Sequence, residues 1–365
     1  MKKVLYVLQG LGKGGVPSVV LNYLTELGQE IDADFAIIEQ YSSTGAEENA
    51  VVRAGHVYQL PSFTKNMFSY YMALRKVIRD GKYDIVHDNN KYFGFLSLWA
   101  AKRCGVPMRI AHVHNTVVRK EKSLMHQVFI WIATMLTKKA ANVLFACSVE
   151  AGRSMYGLDS FHVINNGIDP QSYKYNAHER KRMREKFQFD ENDFIITMVA
   201  RPDQLKRFDF AFIVFEQVRK KKDNSHLLIA GAELDQVCER DRTQYNRLDH
   251  DTQKRIIFCG STSDVPAILS MSDCFLMTSE HEGLGIAAIE AQANGLPCIL
   301  STGVPASAKT SDLVNFLPSL QAPELWAESI LHSQTANREK YCDILASSKF
   351  SIKNCAKKLK KLYGI

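Results

Sequence analysis

Two α/β domains, each a doubly wound parallel sheet, are the architecture this sequence predicts. Short apolar runs alternate with amphipathic ones through the first half of the chain, and the same alternation restarts near residue 194. A length of 365 residues is also too great for one ordinary core, at roughly 150 residues per domain.

The elements follow in order. KKVLYVLQ reads as a first strand, a glycine-rich loop follows, and VPSVVLNYLTEL has helical spacing. DFAIIEQ, YDIVHDN and MRIAHVHN are further strands, separated by the helices SYYMALRKVIRDG and GFLSLWAAKRCG. A helix at about 123–139, then NVLFACS and HVINN, close the first unit, and NGIDPQSY supplies Gly and Pro for a crossover near 166–175. The second unit opens on FIITMVA and continues through the helix DFAFIVFEQVRKK, the runs HLLIAGA, RIIFCGS and CFLMTS, a helix over 284–294, and PCILST. A lysine-rich amphipathic helix at roughly 350–363 ends the chain. In open parallel sheets ligands bind outside the carboxyl ends of the strands, so two such domains are expected to bring their strand-end loops to one cleft.

Composition narrows the classes. Apolar content of 46% with 23% charge is that of a soluble globular protein. Lys+Arg 46 against Asp+Glu 39 leaves +7, with clusters at Arg119–Lys122, Lys138–Lys139, Lys220–Lys222 and Lys357–Lys361. Such clusters read as solvated faces, or as sites for phosphate-rich partners such as a nucleotide or an anionic membrane, and no nucleic-acid partner is expected. The eight cysteines lack CxxC spacing, which predicts reduced thiols and a cytoplasmic protein. The N-terminal apolar run is too short for a signal peptide, and VFIWIATML at 128–136 is far below the ~20 residues of a spanning helix.

Three stretches can carry chemistry. Gly10, Gly12 and Gly15 fall in a GxGxxG pattern after the first strand, with Glu39 near the end of the second, an arrangement open to a dinucleotide, a tight turn, or a phosphate or sugar approached by backbone. ARPDQLK places Arg201 and Lys206 five residues apart after FIITMV, where both can reach one diphosphate. In SDCFLMTSEHEGLGIAAIE, a strand, a loop and a helix succeed one another, and Glu282 and Glu290 stand eight apart across the helix start. The helix N–H groups suit phosphate, and the two carboxylates suit sugar hydroxyls.

The span SDCFLMTSEHEGLGIAAIEAQANGLPCILS resembles the E-x7-E signature of the retaining GT-B glycosyltransferases of family 4, met in bacterial capsule and exopolysaccharide pathways. GGVPSVVLNYL, YDIVHDN, RIAHVHNT, the NGID crossover, the Arg201/Lys206 pair and SDVPAILSMSD extend the resemblance over almost the whole chain. It implies a GT-B fold, with an acceptor domain over 1–167, a nucleotide-sugar domain over 168–349, and the helix 350–365 returning to the first domain. It further implies that Glu290 holds the donor ribose and Glu282 the transferred sugar. The diphosphate would be held by the backbone around Gly283, Leu284 and Gly285 together with Arg201 and Lys206. Gly14 and Gly15 would close over the donor, and His114 would lie by the sugar and acceptor. EGLG in place of EGLP or EGFG, and ARPDQLKR without a Gly-Arg start, are departures from the family pattern.

With the leaving diphosphate neutralised by Arg201, Lys206 and the helix terminus, neither a metal nor a cofactor is required. The resemblance implies retention, by front-face attack. Two DxD triplets, Asp32–Asp34 and Asp249–Asp251, read as solvated turns, the first preceding a strand; His112 reads as structural, without a convincing third metal ligand. Met67, Phe68, Tyr70 and Tyr71, with VFIWIATML and its basic flanks, suit either core helices or a domain leaning on the inner face of the plasma membrane toward a lipid-linked acceptor. The rival readings are an NAD-dependent oxidoreductase, a non-catalytic nucleotide-sugar binder, and a GT-B phosphorylase or epimerase.

Overall fold

The computed structural model describes residues 1–11, 15–38, 55–63, 65–114, 123–319, 322–333 and 337–365. The chain divides into two compact units, Met1–Ile168 joined by Ile352–Ile365, and Asp169–Ser351. Each is built on its own all-parallel sheet.

The first unit's sheet contains β1 (Lys2–Val7), β2 (Ile31–Ile38), β3 (Val57–Leu60), β4 (Ile85–Asp88), β5 (Met108–Val113), β6 (Val143–Ala146) and β7 (His162–Val163), in the order β3-β2-β1-β4-β5-β6-β7. Parallel strands are covered on both faces, so they read as continuous apolar runs; Val4, Leu5, Tyr6 and Val7 of β1 are all fully buried. One face packs Leu5 and Val7 against Leu74 and Ile78 of helix Met67–Gly81 and Ala100 of helix Phe95–Arg103. That first helix starts where the Asn66 side chain accepts from Ser69 N at 2.9 Å. The terminal helix Ile352–Tyr363 packs on helix Gly15–Leu27, burying Ile352, Cys355, Leu359 and Tyr363. Ile352 N donates to Ile168 O at 2.8 Å, so the returning segment is stitched to the last residue of the first stretch. Asp32 and Asp34 differ from expectation, since they lie inside β2. Asp34 is buried and accepts from His56 N at 2.8 Å and from Tyr83 Oη at 2.6 Å.

The second unit carries β8 (Phe194–Val199), β9 (Ser225–Ala230), β10 (Ile256–Phe258), β11 (Cys274–Met277), β12 (Cys298–Ser301) and β13 (Val314–Leu317), ordered β10-β9-β8-β11-β12-β13. Phe208, Phe212 and Phe215 of helix Phe208–Lys221 fill one face together with Trp326. The order reverses between β8 and β11, which places a crevice at their carboxyl ends. All eight cysteines are free thiols. Among the described residues no helix is long and apolar enough to cross a membrane.

Candidate active site

At the β8/β11 reversal two loops meet. The loop after β8 passes Arg201 and turns through the short 3-10 helix Gln204–Lys206, where the Asp203 side chain accepts from Leu205 N at 2.8 Å. The loop after β11 is bonded to it. Thr278 Oγ1 donates to the carbonyls of Lys206 at 2.9 Å and Arg207 at 3.1 Å, and Glu280 N donates to Leu205 O at 2.8 Å.

This clamp aims Lys206 at Glu282. Lys206 Nζ lies 2.5 Å from Glu282 Oε1, and Ser279 Oγ donates to the same oxygen at 2.7 Å. The ammonium and the carboxylate satisfy one another. Arg201 lies exposed and has no ion-pair partner among the described residues, so its charge is available to an anion.

Helix Ile286–Ala293 begins two residues later than the apolar pattern suggests, because Gly285 at its N-cap takes a left-handed φ of 78°. A Cβ at Gly285 would stand 2.9 Å from Val304 Cγ1, so space and backbone both demand glycine. Leu284 is buried beneath the turn, and Gly283 precedes it half-buried. A second close approach comes from Gly303 after β12, where a Cβ would fall 2.3 Å from Glu280 O and 2.4 Å from Ser279 O. Glu282 N donates to Gly303 O at 3.0 Å, closing the loop that carries the carboxylate.

Glu290, one turn into the helix, is held differently. Tyr173 Oη donates to its Oε1 at 2.9 Å, and Asn294 Nδ2 fixes the Tyr173 carbonyl at 2.9 Å. The residue is half-buried, but its carboxyl group is enclosed enough that burial pushes its pKa up to about 7, with the Tyr173 hydrogen bond opposing the shift. One carboxylate is therefore tied to an ammonium and the other to a neutral phenol.

In the first unit, His114 is buried at the end of β5. Its Nδ1 lies 2.8 Å from Asn166 Oδ1 and its Nε2 2.8 Å from Asn89 Oδ1. Burial pushes the imidazole down to about 4, so the ring is neutral near pH 7 and its single N–H serves only one of these two oxygens at a time. A substrate reaching the ring has to displace one amide. His112 lies against it, tilted, at 3.9 Å between centroids and continues to His87, whose Nε2 is 3.0 Å from His112 Nδ1 and whose Nδ1 is 2.6 Å from Tyr363 Oη on the terminal helix. Gly15 opens helix Gly15–Leu27 and is exposed, whereas Gly12, Gly14, Glu39, Arg119, Lys120 and Lys122 lie outside the described residues. Among the described residues no three His, Cys, Asp or Glu side chains gather as a metal site, and Asp249 caps a helix by accepting from Thr252 N at 2.8 Å.

Sequence reasoning brings Arg201, Lys206, Glu282, Gly283, Leu284, Gly285 and Glu290 to one sheet edge, and the structure places them there. It misses Tyr173, Ser279 and Gly303, which touch or support the two carboxylates from separate strand ends and from the crossover.

Comparison with known proteins bears directly on this edge. Residues 13–172 match the family described as Glycosyltransferase Family 4, and residues 179–311 match Glycosyl transferases group 1. The chain belongs to the GT-B glycosyltransferases of family 4. Its group 1 region contains Arg201, Lys206, Glu282 and Glu290, while Tyr173 falls just beyond the family 4 region. EpsF of Bacillus subtilis (strain 168), named as a glycosyltransferase, is 27% identical over 93% of this chain and 89% of its own. An Escherichia coli protein named UDP-Gal:alpha-D-GlcNAc-diphosphoundecaprenol alpha-1,3-galactosyltransferase is 28% identical over 66% of this chain and 63% of its own. The family 4 chain also shares the fold of Anabaena HepE in complex with UDP-glucose, with a TM-score of 0.80 at 15% identity over all of both chains.

Proposed function

We propose that this glycosyltransferase moves a hexosyl or N-acetylhexosaminyl group from a UDP-sugar to a saccharide acceptor of surface-polysaccharide assembly, with retention at the anomeric carbon. The observation that carries the reading is the pairing of Lys206 and Ser279 on Glu282 beside the Tyr173-held Glu290, all at the carboxyl edge of the second sheet. Glu290 Oε1 is taken by Tyr173, which leaves Oε2 for the ribose hydroxyls. Glu282 receives hydroxyls of the transferred sugar once phosphate draws Lys206 toward itself. Arg201, already unpaired, meets the diphosphate first.

The chemistry needs no enzyme nucleophile. The bond from the anomeric carbon to the diphosphate oxygen breaks as the acceptor oxygen attacks the same face, and the acceptor's proton passes to the leaving diphosphate, giving UDP. Arg201, Lys206 and the backbone N–H groups of 283–285 stabilise the charge that develops on that diphosphate. His114, neutral and flanked by an asparagine at each ring nitrogen, is assigned a hydrogen-bonding part toward sugar or acceptor through exchange of one asparagine contact.

The acceptor proposed is lipid-linked, as the E. coli relative's name specifies for that protein. In support, helix Leu124–Ala140 of the first unit exposes Leu124 (77%), Met125 (83%), Trp131 and Ile132, and helix Met67–Gly81 exposes Phe68 (74%) and Met72 beside Arg75, Lys76 and Arg79. Apolar side chains edged by cations fit an anionic lipid surface, and we place the enzyme at the inner face of the plasma membrane.

Slow hydrolysis of UDP-sugars by the purified protein in EDTA, followed by proton NMR before mutarotation, tests the reading. Release of the α-anomer from an α-linked donor supports it. Turnover with no UDP-, GDP- or ADP-sugar, together with binding of NAD, overturns it.

A further inference from the structure

Among the described residues, four other than glycine adopt positive φ: Lys82, Lys91, Gln188 and Arg207. Lys82 caps helix Met67–Gly81 and Gln188 follows helix Ala177–Lys186, where left-handed residues commonly end helices. The other two are different in kind. Arg207 (φ 55°) follows the Lys206 turn at the end of β8 in the second unit, and Lys91 (φ 56°) stands three residues past the end of β4 in the first. Strained backbone of this sort persists where the surroundings over-determine it, and such places cluster at functional sites.

The side chain of Lys91 is equally unusual. It is only partly exposed, burial lowers its pKa, and no carboxylate among the described residues pairs with it. Its charge acts on the His114 ring and on the Cys147 thiol, both at the carboxyl edge of the same sheet. Neither neighbour is an anion, since burial pushes the Cys147 thiol up to about 12. Next to it, Asn90 is buried with its Oδ1 unpartnered, although its Nδ2 donates to Asp88 at 3.1 Å. A desolvated ammonium without a counter-charge costs free energy that a bound anion recovers. The β1/β4 junction beside it is the strand-order reversal of the first sheet, the place where parallel sheets bind ligands.

We propose that Lys91 binds a phosphate group of a substrate, as the anion contact of the first unit beside His114. The inference rests on the glycosyltransferase reading for the substrate's identity, but its chemistry, a phosphate oxygen on an ammonium, stands on these residues. That phosphate is carried either by the acceptor, in a lipid-linked diphosphate, or by the donor.

Two titrations of the full chain distinguish the sources, each with wild type, Lys91→Met and Lys91→Arg. The first uses UDP-glucose; the second uses inorganic pyrophosphate with the donor site filled by UDP. Lys91→Met is expected to lose roughly tenfold or more in one of them, the size of one charge-assisted contact, and Lys91→Arg to recover most of it. Loss in the first assigns the donor phosphate, and loss in the second an acceptor phosphate. Without ligand, Lys91→Met is expected to melt at or above wild type, because the uncompensated charge is gone; a lower melting temperature with unchanged affinities marks a purely structural lysine and overturns the proposal. So does equal affinity of wild type and Lys91→Met in both titrations, or a wild type without measurable pyrophosphate or UDP-glucose binding. Should wild type bind neither UDP nor UDP-glucose, the glycosyltransferase reading fails, while pyrophosphate alone still reports on Lys91.

Discussion

At the scale of single residues, Glu290 sets the behaviour of the proposed donor site. Its carboxyl is shifted up to about 7 from an ordinary 4.5. The native state therefore holds this proton more tightly than the unfolded chain does, and ionising the group costs stability as pH rises from about 4.5 through about 7. A ligand whose hydroxyls need the ionised carboxylate is bound more tightly over the upper part of that window. UDP-glucose, whose diphosphate does not titrate there, is expected to gain affinity between pH 6 and pH 8 in calorimetric titrations, and Glu290→Gln to remove the gain. Tyr173→Phe deletes the one side-chain hydrogen bond that lowers this pKa. It should move the midpoint of the profile upward and weaken binding at pH 7 by roughly fivefold to tenfold, with little change in melting temperature. An unchanged midpoint assigns Tyr173 to packing alone. Glu282 and Glu290 were legible in sequence because eight residues carry a loop carboxylate across a helix start to the same edge. Tyr173 was not, because it reaches Glu290 from 117 residues away, across a crossover whose path no local pattern encodes.

At the scale of elements, the two loops that carry Lys206 and Glu282 are fixed by backbone proximity as much as by side chains. Gly303 leaves no room for a Cβ against two carbonyl oxygens. Gly303→Ala is expected to cost about 1–3 kcal/mol and to weaken UDP binding beyond what the melting shift explains, since it displaces the loop holding Glu282. Differential scanning fluorimetry with and without UDP reads both. The strands and most helices were legible because continuous apolar runs and amphipathic runs alternate so regularly. The start of the 286–293 helix was not, because a run of Gly, Ala, Ile and Leu gives no sign of where the chain must turn left-handed. Asp32 and Asp34 likewise read as a turn, since a strand that buries an aspartate against His56 and Tyr83 breaks the apolar pattern. The terminal helix belongs to the first unit through Tyr363, and Tyr363→Phe, which strips the partner from His87 Nδ1, should destabilise that unit by about 1–3 kcal/mol in urea unfolding.

At the scale of the whole molecule, the first unit stores a pH dependence of opposite sign. Burial pushes His87 down to about 3, His114 to about 4 and His112 well below its ordinary value of 6.5. The unfolded chain takes up these protons first, so stability is lost as pH falls below about 6.5, at roughly 1.4 kcal/mol per pH unit for each histidine. Urea unfolding between pH 7 and pH 5 should show that steep loss, and a flat profile would contradict the burial of the three rings. Acid thus acts on the first unit, while near-neutral titration acts on Glu290 of the second. The family resemblance read in the sequence foresaw a GT-B fold, and the sheets and relatives support it; the buried histidine chain was invisible there, because HVH at a strand end looks the same whether it faces solvent or core.

Glu282 and Glu290 are proposed to mark a nucleoside diphosphate sugar site. Calorimetric titration of UDP-glucose into wild type and Glu290→Ala, in EDTA at pH 8, tests it most directly. The expected result is metal-independent binding by wild type and a loss of roughly a hundredfold in the variant, as for removal of a buried carboxylate that pairs two ligand hydroxyls. Equal affinities in the two proteins, or binding of NAD in place of any nucleoside diphosphate sugar, would contradict it.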